Sequence, residues 1–250
     1  MFPIRDHNPS GRTPYVTWAL MALNIGVFLS YWPFIGADEN ALLEFWAAYA
    51  MVPGWVTKYG LYETLFTSMF LHGGWMHLAG NMLFLWIFGD NMEDEMGHVP
   101  YLLFYLAGGL GAGLTHVLSA PGSMVPTVGA SGAIAAVMGG YLLLFPRARV
   151  DILLILIVFF KIFPVPAWIM LGLWFGLQLF NGVGADPNGG GVAYWAHAGG
   201  FVIGIILALP LFFKRGGTAF WAATHGHPPH PEAEYPFAET RIPRVGRRRE

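Results

Sequence analysis

The 250-residue chain contains no cysteine, which removes disulfide frameworks, thiol catalysis and thiolate metal sites together. Charge is almost as scarce. Asp, Glu, Lys and Arg make up only 11% of the residues, against roughly a quarter in an average soluble domain. A water-facing surface on a chain of this size normally needs far more. The net charge of −2 leaves no basic footprint, so no nucleic-acid partner is expected. Apolar residues make up 55%, with 33 Gly and 10 Trp; Gly is frequent in membrane helices and Trp at bilayer interfaces. The composition excludes a disordered chain and a disulfide scaffold. It leaves an integral membrane protein, with the lipid bilayer as its surroundings.

A spanning helix needs about 20 largely apolar residues. The uncharged run Thr13 to Ala37 provides helix 1, and the run Thr64 to Gly89 holds helix 2, starting near His77. No charge occurs from Gly97 to Pro146, and the segment Ser119 to Pro126 breaks that run with Pro and Gly. Helix 3 is therefore expected over about Pro100–Leu118 and helix 4 over about Thr127–Phe145. The stretch 152–160 is apolar but too short to span; it reads as a surface or re-entrant segment, or as a tilted start to helix 5. Ile162 to Ala185 holds helix 5 and Gly191 to Phe213 helix 6. The expected fold class is an all-α membrane bundle of six transmembrane helices over 13–213. A polar N-terminal segment (1–12) precedes it, and a mostly disordered tail rich in Pro, His and Arg (214–250) follows. The N-terminus is too polar and Pro-rich for a cleaved signal, so the first span is expected to remain as an anchor.

Orientation follows from Lys and Arg. With six spans, both termini and the 2–3 and 4–5 loops share one side. That side collects Arg5, Arg12, Arg147, Arg149, Lys161, Lys214, Arg215, Arg241, Arg244 and Arg247 to Arg249, while the other has Lys58 alone. Both termini are thus expected to be cytoplasmic. The stretch from Asp38 to Phe70, rich in Trp, Tyr and Phe, reads as a long outer loop lying in the interface. The His225, His227, His230 cluster reads as solvated tail rather than a metal site.

Polar side chains inside spans are costly and invite a functional reading. The expected spans hold no Asp or Glu, which argues against an ion pump. Helix 2 opens with His72 to Asn81, helix 4 with Gly129-Ala130-Ser131-Gly132, and helix 6 with Ala196-His197-Ala198-Gly199-Gly200. All three run from outside to inside, so Ser131, His197, His77 and Asn81 fall at one depth, a little below the outer surface. His77 and Asn81, four apart, share a helix face. A hydroxyl, an imidazole and two further hydrogen-bonding groups are the inventory for nucleophilic acyl transfer. Gly129, Gly132, Gly200 and Gly204 permit close helix packing, the last two as a small-xxx-small pair. Taken singly, each residue has a plainer reading: Ser131 as a packing serine, His197 as an interhelical hydrogen-bond partner, Asn81 as structural glue. A zinc site from His72, His77 and His197 is the chemical rival, but it lacks a carboxylate ligand and the His-Glu-x-x-His pattern. No metal and no other cofactor is expected.

The motifs His77-x-x-x-Asn81, Gly129-x-Ser131-Gly132 and Ala196-His197-x-x-Gly200, in this order, resemble the rhomboid intramembrane serine proteases of the six-helix bacterial type. The flanking FTSMFLHGGW, FGDNMEDEMGH and YWAHAGGFVIG segments are similar too. The resemblance implies Ser131 as nucleophile, His197 as general base, and Asn81 and His77 with the Ser131 N–H as oxyanion donors. It implies a hydrolase of the plasma (inner) membrane that cuts single-pass transmembrane proteins near the outer face, with substrate reaching the site beside helix 5. A non-catalytic rhomboid-like chaperone or adaptor, binding client helices without cutting them, is the alternative. Members often carry an aromatic residue four positions after the serine, stacked on the histidine. Here Ala135 stands there, and the sequence leaves open what orients His197.

Overall fold

The computed structural model describes residues 2–34, 39–156, 159–186, 188–229, 231–233 and 235. The chain begins with a strand, β1 (Phe2–Asp6), and a first long helix, α1 (Tyr15–Tyr31). Three short helices follow: α2 (Glu39–Tyr49), α3 (Pro53–Tyr59) and α4 (Thr64–Thr67), the last running into a 3-10 turn at Ser68–Phe70. Next come α5 (Trp75–Met96), α6 (His98–Ser119) and α7 (Ser131–Leu144). Two strands, β2 (Arg149–Leu156) and β3 (Phe159–Pro166), lead to α8 (Ala167–Gly184), α9 (Tyr194–Lys214) and α10 (Thr218–Thr224).

Helix α7 is the axis of the bundle. Every residue from Gly132 to Tyr141 is buried, and its most extensive contacts are with α9, then α6. Small residues make this possible. A Cβ on Gly204 of α9 would fall on the Ala136 carbonyl, and one on Gly200 would fall on the Gly132 carbonyl. Without side chains at those positions the two backbones approach closely, as small-residue seams between membrane helices do. Helix α8 is the opposite case. It buries only Ala167, Leu171, Gln178 and Gly182, while Trp168, Leu173, Leu177, Phe180 and Val183 stand exposed, an apolar outer face suited to lipid.

Among the described residues, α6, α8 and α9 are long and apolar enough to cross a membrane. Helices α1 and α7 are apolar but shorter, at 17 and 14 residues. Helix α5 has the length, but its last turns carry Asp90, Glu93, Asp94 and Glu95.

Four expectations need correcting. The stretch 152–160, of which residues 157 and 158 lie outside the described residues, is not a start to helix 5: Asp151 to Leu156 pairs antiparallel with Phe159 to Pro164, and α8 starts only at Ala167. Pro164 and Pro166 disfavour a helix interior, and a short apolar run has no periodicity to tell strand from helix. The N-terminal segment is structured as well. β1 adds to β2 as an antiparallel edge, giving sheet order β1-β2-β3, so the fold is a helical bundle with a small sheet rather than all-α. The acidic loop expected between helices 2 and 3 is helical to Met96, with Gly97 alone joining α5 to α6. Finally, the near part of the tail is ordered. Phe220 of α10 is buried, Trp221 Nε1 donates to the Leu143 carbonyl at 2.9 Å, and Ala233 N–H donates to the His7 carbonyl at 2.8 Å. His230, Arg241, Arg244 and Arg247 to Arg249 lie outside the described residues.

Acidic groups at this end hold the N-terminal segment to the bundle. Helix α1 has no side-chain cap of its own, and Glu93 supplies one from α5. Its carboxylate accepts the Val16 and Thr17 N–H groups at 2.8 and 2.7 Å and the Thr17 hydroxyl at 2.8 Å. Those N–H groups have no intrahelical partner, and a negative charge is favoured at a helix N-terminus. Asp6 at the end of β1 accepts the Tyr141 hydroxyl of α7 at 3.0 Å and the Asn91 amide of α5 at 2.9 Å.

Candidate active site

Ser131 is the first residue of α7. The segment before it is irregular and pinned from outside the helix. Thr127 and Met51 exchange backbone hydrogen bonds at 2.8 and 3.1 Å, and Gly129 N–H donates to the Ser68 carbonyl at 2.9 Å. Gly129 has φ +133, a conformation that suits glycine and costs other residues dearly. The chain thereby turns into α7 with the Ser131 side chain at the helix mouth, where the first N–H groups lack intrahelical acceptors and the dipole is positive.

His197 lies in the first turn of α9. The α7–α9 seam brings it to the serine: His197 Nε2 and Ser131 Oγ are 2.7 Å apart across 66 residues of sequence. The same seam holds Gly200 against the Gly132 carbonyl, while Gly132 faces Ala112 of α6, whose Cβ would be 2.6 Å from an added Cβ. Gly129, Gly132 and Gly200 thus flank the Ser131–His197 contact, while Gly204 lies further along the seam against Ala136.

His77 and Asn81 come from α5. A Cβ on Gly129 would sit 2.7 Å from His77 Nε2 and 3.5 Å from Ser131 Oγ, so the imidazole edge and the hydroxyl flank one point. Gly73 N–H donates to His77 Nδ1 at 3.4 Å, which leaves Nε2 as the N–H donor. Asn81 is 7% exposed, and its Nδ2 is buried with no acceptor among the described residues. A buried donor without a partner is costly and calls for an explanation such as a catalytic role.

These groups open into one cavity of about 630 Å³, whose lining includes His77, Asn81, Ser131, His197, Met138 and Trp174. Among the described residues no three or more His, Asp or Glu side chains gather as a metal-ligand set. His72, a member of the rival zinc set, is fully buried, with its ring edge-on to His77 at 5.2 Å between centroids.

Two residues were missed by the sequence reading. Gln178 of α8 holds the far side of the His197 ring, its Oε1 2.9 Å from Nδ1. Trp174, one turn earlier, stacks on that ring with centroids 5.8 Å apart. The signal was present. Gln178 is a buried polar residue within an expected span, the same property that drew attention to helices 2, 4 and 6.

Chemically, a hydroxyl hydrogen-bonded to an imidazole, beside a helix N-terminus and an amide donor unpaired among the described residues, can attack a carbonyl and hold the oxyanion that forms.

Comparison with known proteins agrees with the motifs. The family model described as Rhomboid domain matches residues 59–214. The chain is similar to the rhomboid protease GluP of Bacillus subtilis, 29% identical over 188 residues that cover 73% of this chain and 30% of that protein. It is similar to rhomboid-like protein 11, chloroplastic, of Arabidopsis thaliana, 33% identical over 129 residues, 52% of this chain and 41% of that one. The mitochondrial rhomboid protein 1 of Saccharomyces cerevisiae is 30% identical over 145 residues, 56% and 39% respectively. The chain spans between three- and four-tenths of the length of these relatives.

Proposed function

The chain belongs to the rhomboid family of integral membrane proteins, and from that premise we propose that it is an intramembrane serine endopeptidase acting through Ser131 and His197. The observation that carries this reading is the 2.7 Å Ser131 Oγ–His197 Nε2 contact inside a cavity that also receives His77 and Asn81. A relative that only binds client helices has no use for that contact or for an unpaired buried amide.

In this reading His197 Nε2 takes the proton as Ser131 Oγ attacks the scissile carbonyl. The new oxyanion is held by Asn81 Nδ2, His77 Nε2–H and the Ser131 N–H. His197 then gives the proton to the leaving amine, and a water molecule reverses the sequence to release the acyl product. The base works without a carboxylate partner, which spares the site the desolvation cost of a buried ion pair.

The substrates are single-pass transmembrane proteins cut near the outer face of the plasma (inner) membrane. The six long helices α1, α5, α6, α7, α8 and α9 are the six spans, with both termini cytoplasmic. The excess of Lys and Arg on the side of the termini supports that orientation. The length of α7 supports a site below the surface. At 1.5 Å per residue it is about 21 Å long, shorter than a hydrocarbon core of about 30 Å, which leaves room for its first residue to start below the outer surface. A substrate helix must unwind there, because its own hydrogen bonds otherwise shield the carbonyl.

The test is cleavage of a single-pass substrate by the purified protein in liposomes. Cleavage by the wild type and none by a folded Ser131→Ala variant supports the reading. An uncut substrate, or one that Ser131→Ala cuts equally well, removes it.

A further inference from the structure

We propose that Gln178 is a positioning residue for this reaction, holding His197 as the Nδ1–H tautomer in place of the acidic member of a triad. The assignment rests on the protease reading above and extends it to a residue on a different helix.

The hydrogen bonds leave one arrangement. Gln178 donates through Nε2 to the Trp174 carbonyl at 3.1 Å, and a carbonyl can only accept. That bond fixes which end of the amide is which, so Oε1 faces the imidazole at 2.9 Å from Nδ1. An amide oxygen also only accepts, so Nδ1 carries the proton. Nε2 is then the lone-pair nitrogen, and it is the nitrogen that meets Ser131 Oγ at 2.7 Å. A serine base needs this tautomer, and the group across the ring sets it.

The setting argues against simple packing. α8 is the least embedded of the long helices, and Gln178 is its one buried polar side chain. Trp174 and Gln178, four apart, share a helix face. Trp174 covers the imidazole plane and Gln178 holds its edge. A neutral acceptor fixes the ring without adding a buried charge.

The experiment measures cleavage of the same liposome substrate across pH by wild type, Gln178→Leu and Gln178→Glu, with a melting temperature for each. Gln178→Leu strands Nδ1–H in an apolar pocket and frees the ring to rotate. The expected result is a fall in kcat of about 10- to 100-fold with little change in KM. Gln178→Glu keeps an acceptor and retains activity. Among the described residues, His77 on α5 and His116 on α6 are the titratable side chains that bear on His197 electrostatically, and the new carboxylate adds a negative charge that neither supplies. It favours the imidazolium, and the acidic limb of the rate profile moves to higher pH. A purely structural glutamine predicts altered melting temperatures and an unmoved limb.

A wild-type kcat and profile in Gln178→Leu overturns the assignment, as does an unmoved limb in Gln178→Glu. If Gln178→Leu does not fold, the Gln178→Glu profile decides alone. A cleaving wild type with indifferent variants removes only this assignment; a wild type that cuts nothing removes the protease reading with it.

Discussion

The indole of Trp174 lies over the imidazole of His197, with ring centroids 5.8 Å apart and planes inclined by 29°. The two belong to neighbouring helices, α8 and α9. On α7, Ala135, four positions after Ser131, is packed to 1% exposure and offers no ring. The ring over His197 comes from α8 instead.

Replacing Trp174 by Ala therefore loosens the base rather than the substrate site alone. Aromatic pairs of this kind are worth about 0.5–1.5 kcal/mol beyond their buried area. Trp174→Ala is expected to lower kcat about 2- to 10-fold, and Trp174→Phe to recover most of it. Steady-state kinetics on a membrane substrate check both. An unchanged kcat in the alanine variant contradicts the role.

The unpaired Asn81 amide makes a second prediction. A donor that meets its partner only as the oxyanion forms contributes to the transition state and not to substrate binding. Asn81→Ala is expected to reduce kcat about 10²- to 10³-fold, with KM and melting temperature nearly unchanged. His77→Ala acts in the same direction. Loss of substrate binding with kcat preserved argues against the oxyanion role.

Gly204 sets the distance between α7 and α9. A valine there drives its side chain into the Ala136 carbonyl, a backbone atom that cannot rotate away. Overpacking of this kind costs about 1–3 kcal/mol. Gly204→Val is expected to melt earlier in detergent and to separate Ser131 from His197, so activity and stability fall together. Wild-type melting and activity contradict close packing at this seam.

The pH dependence of stability should trace to the N-terminal strand. Burial, aided by the Asp90 carboxylate, pushes the Asp6 carboxyl up to about 8, against about 4 in an unfolded chain. Between those values the folded protein holds a proton that the unfolded chain has released. The stabilisation is full below about pH 4, declines as pH rises and is gone above about pH 8. Thermal melts from pH 5 to 8.5 should show stability falling with pH, and Asp6→Asn, neutral throughout, should flatten the slope. The same slope in both proteins removes Asp6 as the cause.

Much of the site was legible in the chain because polar side chains are conspicuous in apolar runs. Ser131, His197, His77 and Asn81 stood out as polar groups at one expected depth, and the glycines of the expected helices 4 and 6 pointed to the close packing seen between α7 and α9. The residues that hold the ring were harder to read. Trp174 looks like any lipid-facing aromatic until helix packing turns it inward, and Gln178 is one amide among apolar neighbours. The sheet was harder still. Asp151 to Pro166 lacks a period, and its partner β1 lies at the other end of the chain, so the pairing is a matter of long-range contacts that local patterns do not record.

The most direct test of the account is reaction of the purified protein with a fluorophosphonate probe, the adduct located by mass spectrometry. The geometry predicts a single adduct on Ser131, none in Ser131→Ala, and a strongly slowed reaction in a folded His197→Ala variant. An unlabelled wild type, or equal labelling when Ser131 or His197 is replaced, contradicts it.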